Sequence, residues 1–314
     1  MRSLRSAVAR IATRTGVYYP GQWAFARLGG GFVLAYHDQP AEVFERQMEA
    51  LAPNEPVHLA ELFERARRGR STAGLFAVTC DDGVAATVRS FGAVRIKRRW
   101  PITFYLPTIY LDERRGLPFQ LWNRLLPRLP RRVLALSSRA VDLSSDAAFA
   151  RFTRDLETAV YTKPRDRYLP LIEDLVRWLL DSGVATREQL LPPEPIPWGE
   201  VASLSRHEAI RFESHGVTHT AVVALSRAAL EAELETSKRV ISEHTDRDCR
   251  HFCYPFGGRE SIGAVAPDLV ARIYETAVTM SRGRLRGRTW SLVPRIPIYE
   301  RDDPDMVRLK ILTT

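Results

Sequence analysis

The chain has 314 residues, 45% of them hydrophobic, and a formal net charge of +9, so it carries enough apolar material for a substantial core. No apolar run approaches the roughly 18 residues that span a bilayer. The N-terminus lacks the apolar core of a secretory signal, which leaves a cytoplasmic, at most membrane-peripheral, location as the expectation. Cys80, Cys249 and Cys253 form no even framework, and the last two lack zinc-motif spacing. They are read as reduced packing residues.

Residues 1–30 form a basic leader. No acid precedes Asp38, and Leu4, Val8 and Ile11 fall on one helical face; a membrane-surface helix and a helix packed on the body both fit. "GGGFVLAYHDQP" then predicts a short buried strand ending at His37, punctuated by glycine and by Pro40. "AEVFERQMEALAP" has the spacing of a helix. "GLFAVTCDDG" and "PITFYLPT" predict two more strands, with a crossover helix over the basic stretch "RIKRRW" between them. From Arg89 to Arg132 there are eleven Lys/Arg against Asp112 and Glu113 only. Such a stretch is either a solvated face or an attractor for an acidic glycan, anionic lipid or nucleic acid.

Residues 112–197 hold nine of the twenty prolines, with helical patterns such as "YLPLIEDLVRWLLDSG" between them. They are expected to be a mainly helical insertion. Strand–helix alternation resumes with "AIRFESHGVTH" and a long helix over "LSRAALEAELETSKRVISEHT". "HFCYPFGG", "ETAVTMS" and "LVPRIPIY" are the remaining strand candidates. Alternating strands and helices indicate an α/β fold with a mostly parallel sheet or barrel.

Two short segments carry chemistry. "VTCDDG" ends a strand with Asp81 and Asp82, and "SHGVTH" supplies His215 and His219 directly after another. Side chains alternate along a strand, so both acids can face one ligand only if the chain leaves the strand there, which Gly83 permits. A carboxylate and two imidazoles make a three-ligand site for Zn²⁺ or a similar divalent ion. One acid would bind the cation and the other would take a proton from water, the cation offsetting their repulsion. Taken singly, a DDG is a strand-ending turn and an H-x3-H pair an ordinary pair of histidines. Together at strand ends, where α/β barrels gather catalytic groups, they point to a site.

The sequence resembles the polysaccharide deacetylases with a NodB-homology domain, carbohydrate esterase family 4. "VTCDDG" is similar to the family's T-F-D-D-G, with Cys80 in place of phenylalanine. "SHGVTH" is similar to H-[ST]-x-x-H, with Gly216 at the usually hydroxylated position. "CYPFG" matches the Y-P-[FY]-G form of one branch, and "LAYHDQP…FERQMEAL" resembles that branch's lead-in. The order agrees across about residues 31–300, interrupted by the insertion at 112–197, with 301–314 left as a C-terminal tail. The resemblance implies a deformed (β/α) barrel of the NodB-homology type and removal of acetyl groups from N-acetylated sugars. It implies Asp81 as catalytic base, Asp82, His215 and His219 as metal ligands, and the backbone N–H of Tyr254 as an oxyanion donor.

Two family features are displaced. No histidine follows His251, so the late general acid is missing; His37, matching the branch's Y-H, is assigned that role, against a packing or substrate-orienting role. Arg295, in "VPRIPIY", stands in for the family's arginine beside the base if it pairs with Asp81; a surface arginine is the other reading. Trp290 and Tyr299 are either sugar-stacking or core residues. The alternating arginines of "SRGRLRGRTW" are expected near the barrel mouth, meeting an anionic glycan or lipid-linked precursor. The expectation is thus a metal-dependent carbohydrate N-deacetylase acting on an N-acetylated glycan. A non-catalytic glycan-binding protein on the same fold, or a metal hydrolase of another amide or ester, are the alternatives.

Overall fold

The computed structural model describes residues 30–285 and 289–314. The leader therefore lies outside the described residues as far as Gly29, as do Arg286 and Arg288 of the arginine-rich stretch. The central sheet is parallel throughout. Its strands are β1 (Phe32–Tyr36), β2 (Glu55–Pro56), β3 (Leu75–Cys80) and β4 (Ile102–Leu106), then, beyond the hairpin described below, β7 (Ile210–Ser214), β8 (His251–Cys253), β9 (Thr276–Val278) and β10 (Ile296–Pro297). Their spatial order is β10-β1-β3-β4-β7-β8-β9, with β2 beside the start of β3.

The sheet curls into a half-barrel. Val293 bridges to Val278 at the end of β9, and Ile296, three residues on, pairs with Leu34 of β1. One short segment thus touches both ends of the sheet. The strands are apolar on both faces because helices cover one side and the barrel interior occupies the other. Phe32, Leu34, Tyr36, Phe76, Val78 and Cys80 join the cluster under the helices. Val33, Ala77, Tyr105, Cys253 and Val278 join a second cluster on the opposite face. This two-residue alternation sends Cys80 and Asp81 in opposite directions.

Between β4 and β7 lie the helices Pro118–Leu125, Asp146–Thr162, Leu169–Asp181 and Arg187–Leu190, together with the antiparallel hairpin β5 (Val133–Ala135) and β6 (Ala140–Asp142). The hairpin was not legible in a stretch read as helical. These elements bury their own cluster around Trp122, Leu125, Leu156, Ile172, Leu175 and Leu179. The segment rejoins the barrel beside the twin acids: Ile196 N–H donates to Gly83 O at 2.8 Å, and Ala85 N–H to Glu194 O at 2.8 Å.

Residues 301–314 are not a loose tail. The helix Pro304–Leu312 is capped by the Asp303 side chain, which accepts from Met306 N–H at 2.8 Å, and it buries Val307 and Ile311. The arginine-rich loop also departs from expectation. Arg284 donates to Gly30 O and Ile311 O, and Arg282 to Lys310 O and Thr313 Oγ1. Those contacts lie just before β1 and on the last helix, so these two arginines tie Gly30 and the last helix to the loop instead of lining the mouth. Much of the basic stretch is likewise matched internally: Arg89 pairs with Glu200, Arg98 with Glu45 and Glu49, and Arg115 with Glu173. Among the described residues no helix is long and apolar enough to cross a membrane.

Leu175 is fully buried in the cluster of the 112–197 segment. Leu175→Ala is expected to destabilise the protein by about 2–5 kcal/mol, read as a lower urea midpoint. An unchanged midpoint would show that this cluster does not support the fold.

Candidate active site

The site is built at the C-terminal ends of β3, β7 and β8. Asp81 follows β3 and keeps the strand's alternation, pointing to the same side as Thr79; both are held by Arg295. Asp82 then takes φ +73° and Gly83 φ +63°. Left-handed backbone is open to aspartate and undemanding for glycine, and it is this pair, not Gly83 alone, that turns the second carboxylate back toward the sheet's end. A Cβ on Gly83 would lie 2.7 Å from Leu106 Cδ2, so a side chain there would have to displace that leucine and also hold a left-handed backbone.

Asp82 meets both histidines. Its Oδ1 lies 3.7 Å from His215 Nε2 and 3.5 Å from His219 Nε2. His215 Nδ1 is 2.8 Å from Cys253 O; a carbonyl can only accept, so Nδ1 carries the proton and Nε2 presents its lone pair. Burial, and then the neighbouring His219, push the His215 pKa down to about 4, which leaves the ring neutral at pH 7. Two ligand atoms bound at about 2.0–2.2 Å to a tetrahedral ion stand about 3.4 Å apart. The observed spacings and the buried donor set of one carboxylate and two imidazoles therefore fit a divalent cation. Glu233, which the motifs did not reveal, shapes this loop: its carboxylate accepts from the N–H groups of Val217 and Thr218 at 2.7 and 3.0 Å, and from Thr218 Oγ1 at 2.6 Å.

Asp81 has a different neighbour. Arg295 Nη1 donates to its Oδ1 at 2.8 Å and Nη2 to its Oδ2 at 2.7 Å, both residues being buried. Burial alone would raise the Asp81 carboxyl, but the charge and hydrogen bonds of Arg295, with His37 and His215 beside it, hold it well below the usual carboxylate range. Asp82 is also lowered: burial opposes ionisation, and the His219 hydrogen bond and the nearby histidines outweigh it. Asp81, His215 and Cys253 form a second cluster of possible ligand atoms. Arg295 Nη2 lies 3.1 Å from Cys253 Sγ, and a fixed cation there disfavours a metal at that point. His37 Nε2 stands 3.7 Å from Asp81 Oδ2, with its side chain 39% exposed; it is the member of the group that an incoming molecule can touch.

Sequence comparison finds the family described as polysaccharide deacetylase over residues 166–266. The resemblance to the polysaccharide deacetylases holds. No curated protein sequence matches the chain. Among solved structures it is similar to the deacetylase PplD of Streptococcus pyogenes, determined in complex with acetate, with TM-score 0.57 and 11% identity over 90% of this chain and 97% of that one. It is also similar to a putative polysaccharide deacetylase of Bacillus anthracis, with TM-score 0.56 and 14% identity over 90% and 68% of the two chains. A de-N-acetylase of Aggregatibacter actinomycetemcomitans gives TM-score 0.53 and 12% identity over 89% and 99%. At these identities the likeness is one of fold, and the curled parallel sheet with surrounding helices is the fold that a polysaccharide deacetylase resemblance implies.

Within this deacetylase-like frame one assignment needs correction. The Tyr254 N–H donates to Val278 O at 3.2 Å as part of the β8–β9 pairing, and its hydroxyl donates to Ser291 O at 2.9 Å. Its amide is therefore already committed. The next amide in the turn is that of Phe256, whose φ is +62° and which has no hydrogen-bond acceptor among the described residues. Gly257 follows with φ +62°, where a Cβ would stand 2.6 Å from Met280 N. Trp290 packs on Phe63 beneath Arg67, and Tyr299 lies between Arg301 and Lys310; neither borders the site. The pocket, 170 Å³, is lined by His37, the twin acids, both histidines and Tyr254, together with Phe119, Tyr161, Phe256 and Met280; of the last four only Phe256, in "CYPFG", lies in a motif.

In the native protein Asp81 titrates below its unfolded value of about 3.9. Its ionised form therefore stabilises the fold fully above about pH 4, and that contribution is lost as pH falls through the folded pKa. Arg295→Met leaves a buried carboxylate unpaired. It is expected to cost about 3–5 kcal/mol at pH 7, with the gap to the parent narrowing as acid protonates Asp81. Urea unfolding at pH 7 and pH 4 measures this, and a gap independent of pH would contradict the pairing.

Proposed function

We propose that the protein is a metal-dependent carbohydrate N-deacetylase that hydrolyses the acetamide of an N-acetylated sugar in a glycan or glycan precursor. The observation that carries this reading is the meeting, in one pocket, of a three-donor set and a separate ionised carboxylate with an accessible imidazole beside it. The family match over residues 166–266 and the shared fold support the same reaction class.

Asp82, His215 and His219 would hold the ion, for which Zn²⁺ suits the mixed oxygen and nitrogen donors. A bound divalent ion supplies a Lewis acid for the acyl carbonyl and acidifies water at the site. Asp81, kept ionised and oriented by Arg295, accepts a proton from the attacking water. His37 donates a proton to the departing nitrogen, because an amine leaves poorly unless protonated. The Phe256 amide takes the oxyanion-donor role first assigned to Tyr254. The acyl C–N bond breaks, the water oxygen stays on the acyl carbon, and the products are acetate and the free amine.

Metal analysis and acetate release from N-acetylglucosamine oligomers test these roles. His215→Ala is expected to lose the metal. Asp81→Asn should keep it while activity falls by about 10²–10⁴-fold. Zinc-loaded parent that releases no acetate from any N-acetylated glycan would sink the proposal.

His37→Ala separates its role from packing. Acetate release from the amide is expected to fall by about 10²-fold or more, with a much smaller loss on an aryl acetate, whose leaving group departs without protonation. Equal losses on both substrates would remove His37 from the acid's role.

A further inference from the structure

We infer that the segment 112–197 builds a sugar-ring subsite over the site, with Tyr161 as its outer stacking face. This rests on the deacetylase reading for the reaction, though not for the binding that it predicts.

Two residues of this segment, far apart in sequence, reach the same pocket as the twin acids: Phe119 from the helix Pro118–Leu125 and Tyr161 from the end of the helix Asp146–Thr162. Phe119 lies against the imidazole of His219, with ring centroids 5.4 Å apart and planes at 27°. Phe256 sets its ring edge-on to His219 at 4.8 Å and to Tyr161 at 4.7 Å. The three aromatic rings thus form a wall that starts on a candidate ligand and ends at Tyr161. Phe119 and Phe256 are held within the wall, but Tyr161 remains 43% exposed. A large aromatic ring standing in solvent beside buried carboxylates and imidazoles is not part of either hydrophobic core face of the sheet.

Chemistry and size both suit a pyranose. The weakly positive C–H face of a sugar ring complements the negative face of an aromatic ring. Stacking leaves the hydroxyl groups of the sugar in water, where Tyr161 is exposed. The pocket, 170 Å³, is small beside the roughly 300–1,000 Å³ of ordinary ligand clefts, which suits an acetamido arm and the edge of the ring carrying it. The unit being deacetylated would therefore insert its N-acetyl group beside Asp81 and His37 and rest its ring on Tyr161, with any further sugars lying outside. The segment's own apolar cluster and its return beside Gly83 give that ring a rigid support.

The test uses the zinc-loaded full chain and the trisaccharide of N-acetylglucosamine. Affinity is measured by calorimetry in the Asp81→Asn background, so that ligand is not consumed, with and without Tyr161→Ala or Tyr161→Phe. Acetate release is measured with the same Tyr161 changes in the otherwise native chain. Tyr161→Ala is expected to raise Kd about two- to twelvefold, the loss of one aromatic contact, and to raise KM more than it lowers kcat. Tyr161→Phe should restore both, and neither change should alter zinc content or the urea midpoint. Unaltered affinity in Tyr161→Ala would overturn the subsite while leaving the deacetylase reading intact, provided acetate is still released. Binding that depends on Tyr161 without acetate release by the parent would uphold the subsite and reject the deacetylase reading. No binding of the trisaccharide by either protein would overturn the subsite outright.

Discussion

Asp81 and Asp82 are neighbours in the chain, both are buried, and at neutral pH both carry charge. Their mutual repulsion, added to the cost of desolvating each carboxylate, would unfold this corner if nothing opposed it. The protein separates the problem in two. Arg295 grips Asp81 with both guanidinium nitrogens from a segment 214 residues away in sequence, while Asp82 is turned aside by positive φ to face His215 and His219. One acid is neutralised by a permanent cation, and the other is left to a pair of imidazoles.

This division accounts for the surrounding architecture. Arg295 lies in the same segment that bridges β9 and β1, so curling of the sheet and pairing of Asp81 depend on the same few residues. His215 is oriented by a carbonyl of β8 and the His215–His219 loop by Glu233 from the helix Arg227–Thr245. Several elements must therefore be in register before oxygen–nitrogen spacings of 3.7 and 3.5 Å can exist around Asp82. The site is thus held by packed elements and not by one flexible loop.

The segment 112–197 couples to this arrangement at two places. Its returning backbone hydrogen-bonds to Gly83, immediately after the acids, and its aromatic side chains border the pocket. Its bulk is stabilised by an apolar cluster separate from those on the two faces of the sheet.

Much of the fold was legible because it depends on local pattern. Short apolar runs bounded by glycine and proline marked the strands, and helical spacing marked Leu230, Leu234 and Ile241 along their helix. The acids and histidines were readable as candidates because each lies at a strand end, and their order along the chain is preserved in space. The hairpin Val133–Asp142 escaped notice because its strands are three residues long, too short to show a period. The commitment of the Tyr254 amide to Val278 was hidden because residue type does not reveal which backbone N–H a sheet will use. Glu233, Phe119 and Tyr161 carry no motif at all; their places follow from helix orientation. By itself, then, the amino-acid order determined most of the strands and helices and the strand-end chemistry, since these follow from periodicity within a few residues. Tertiary structure alone decided which cation meets Asp81, which amide is left over and which rings wall the pocket, because those depend on register between segments that meet only after the chain has folded.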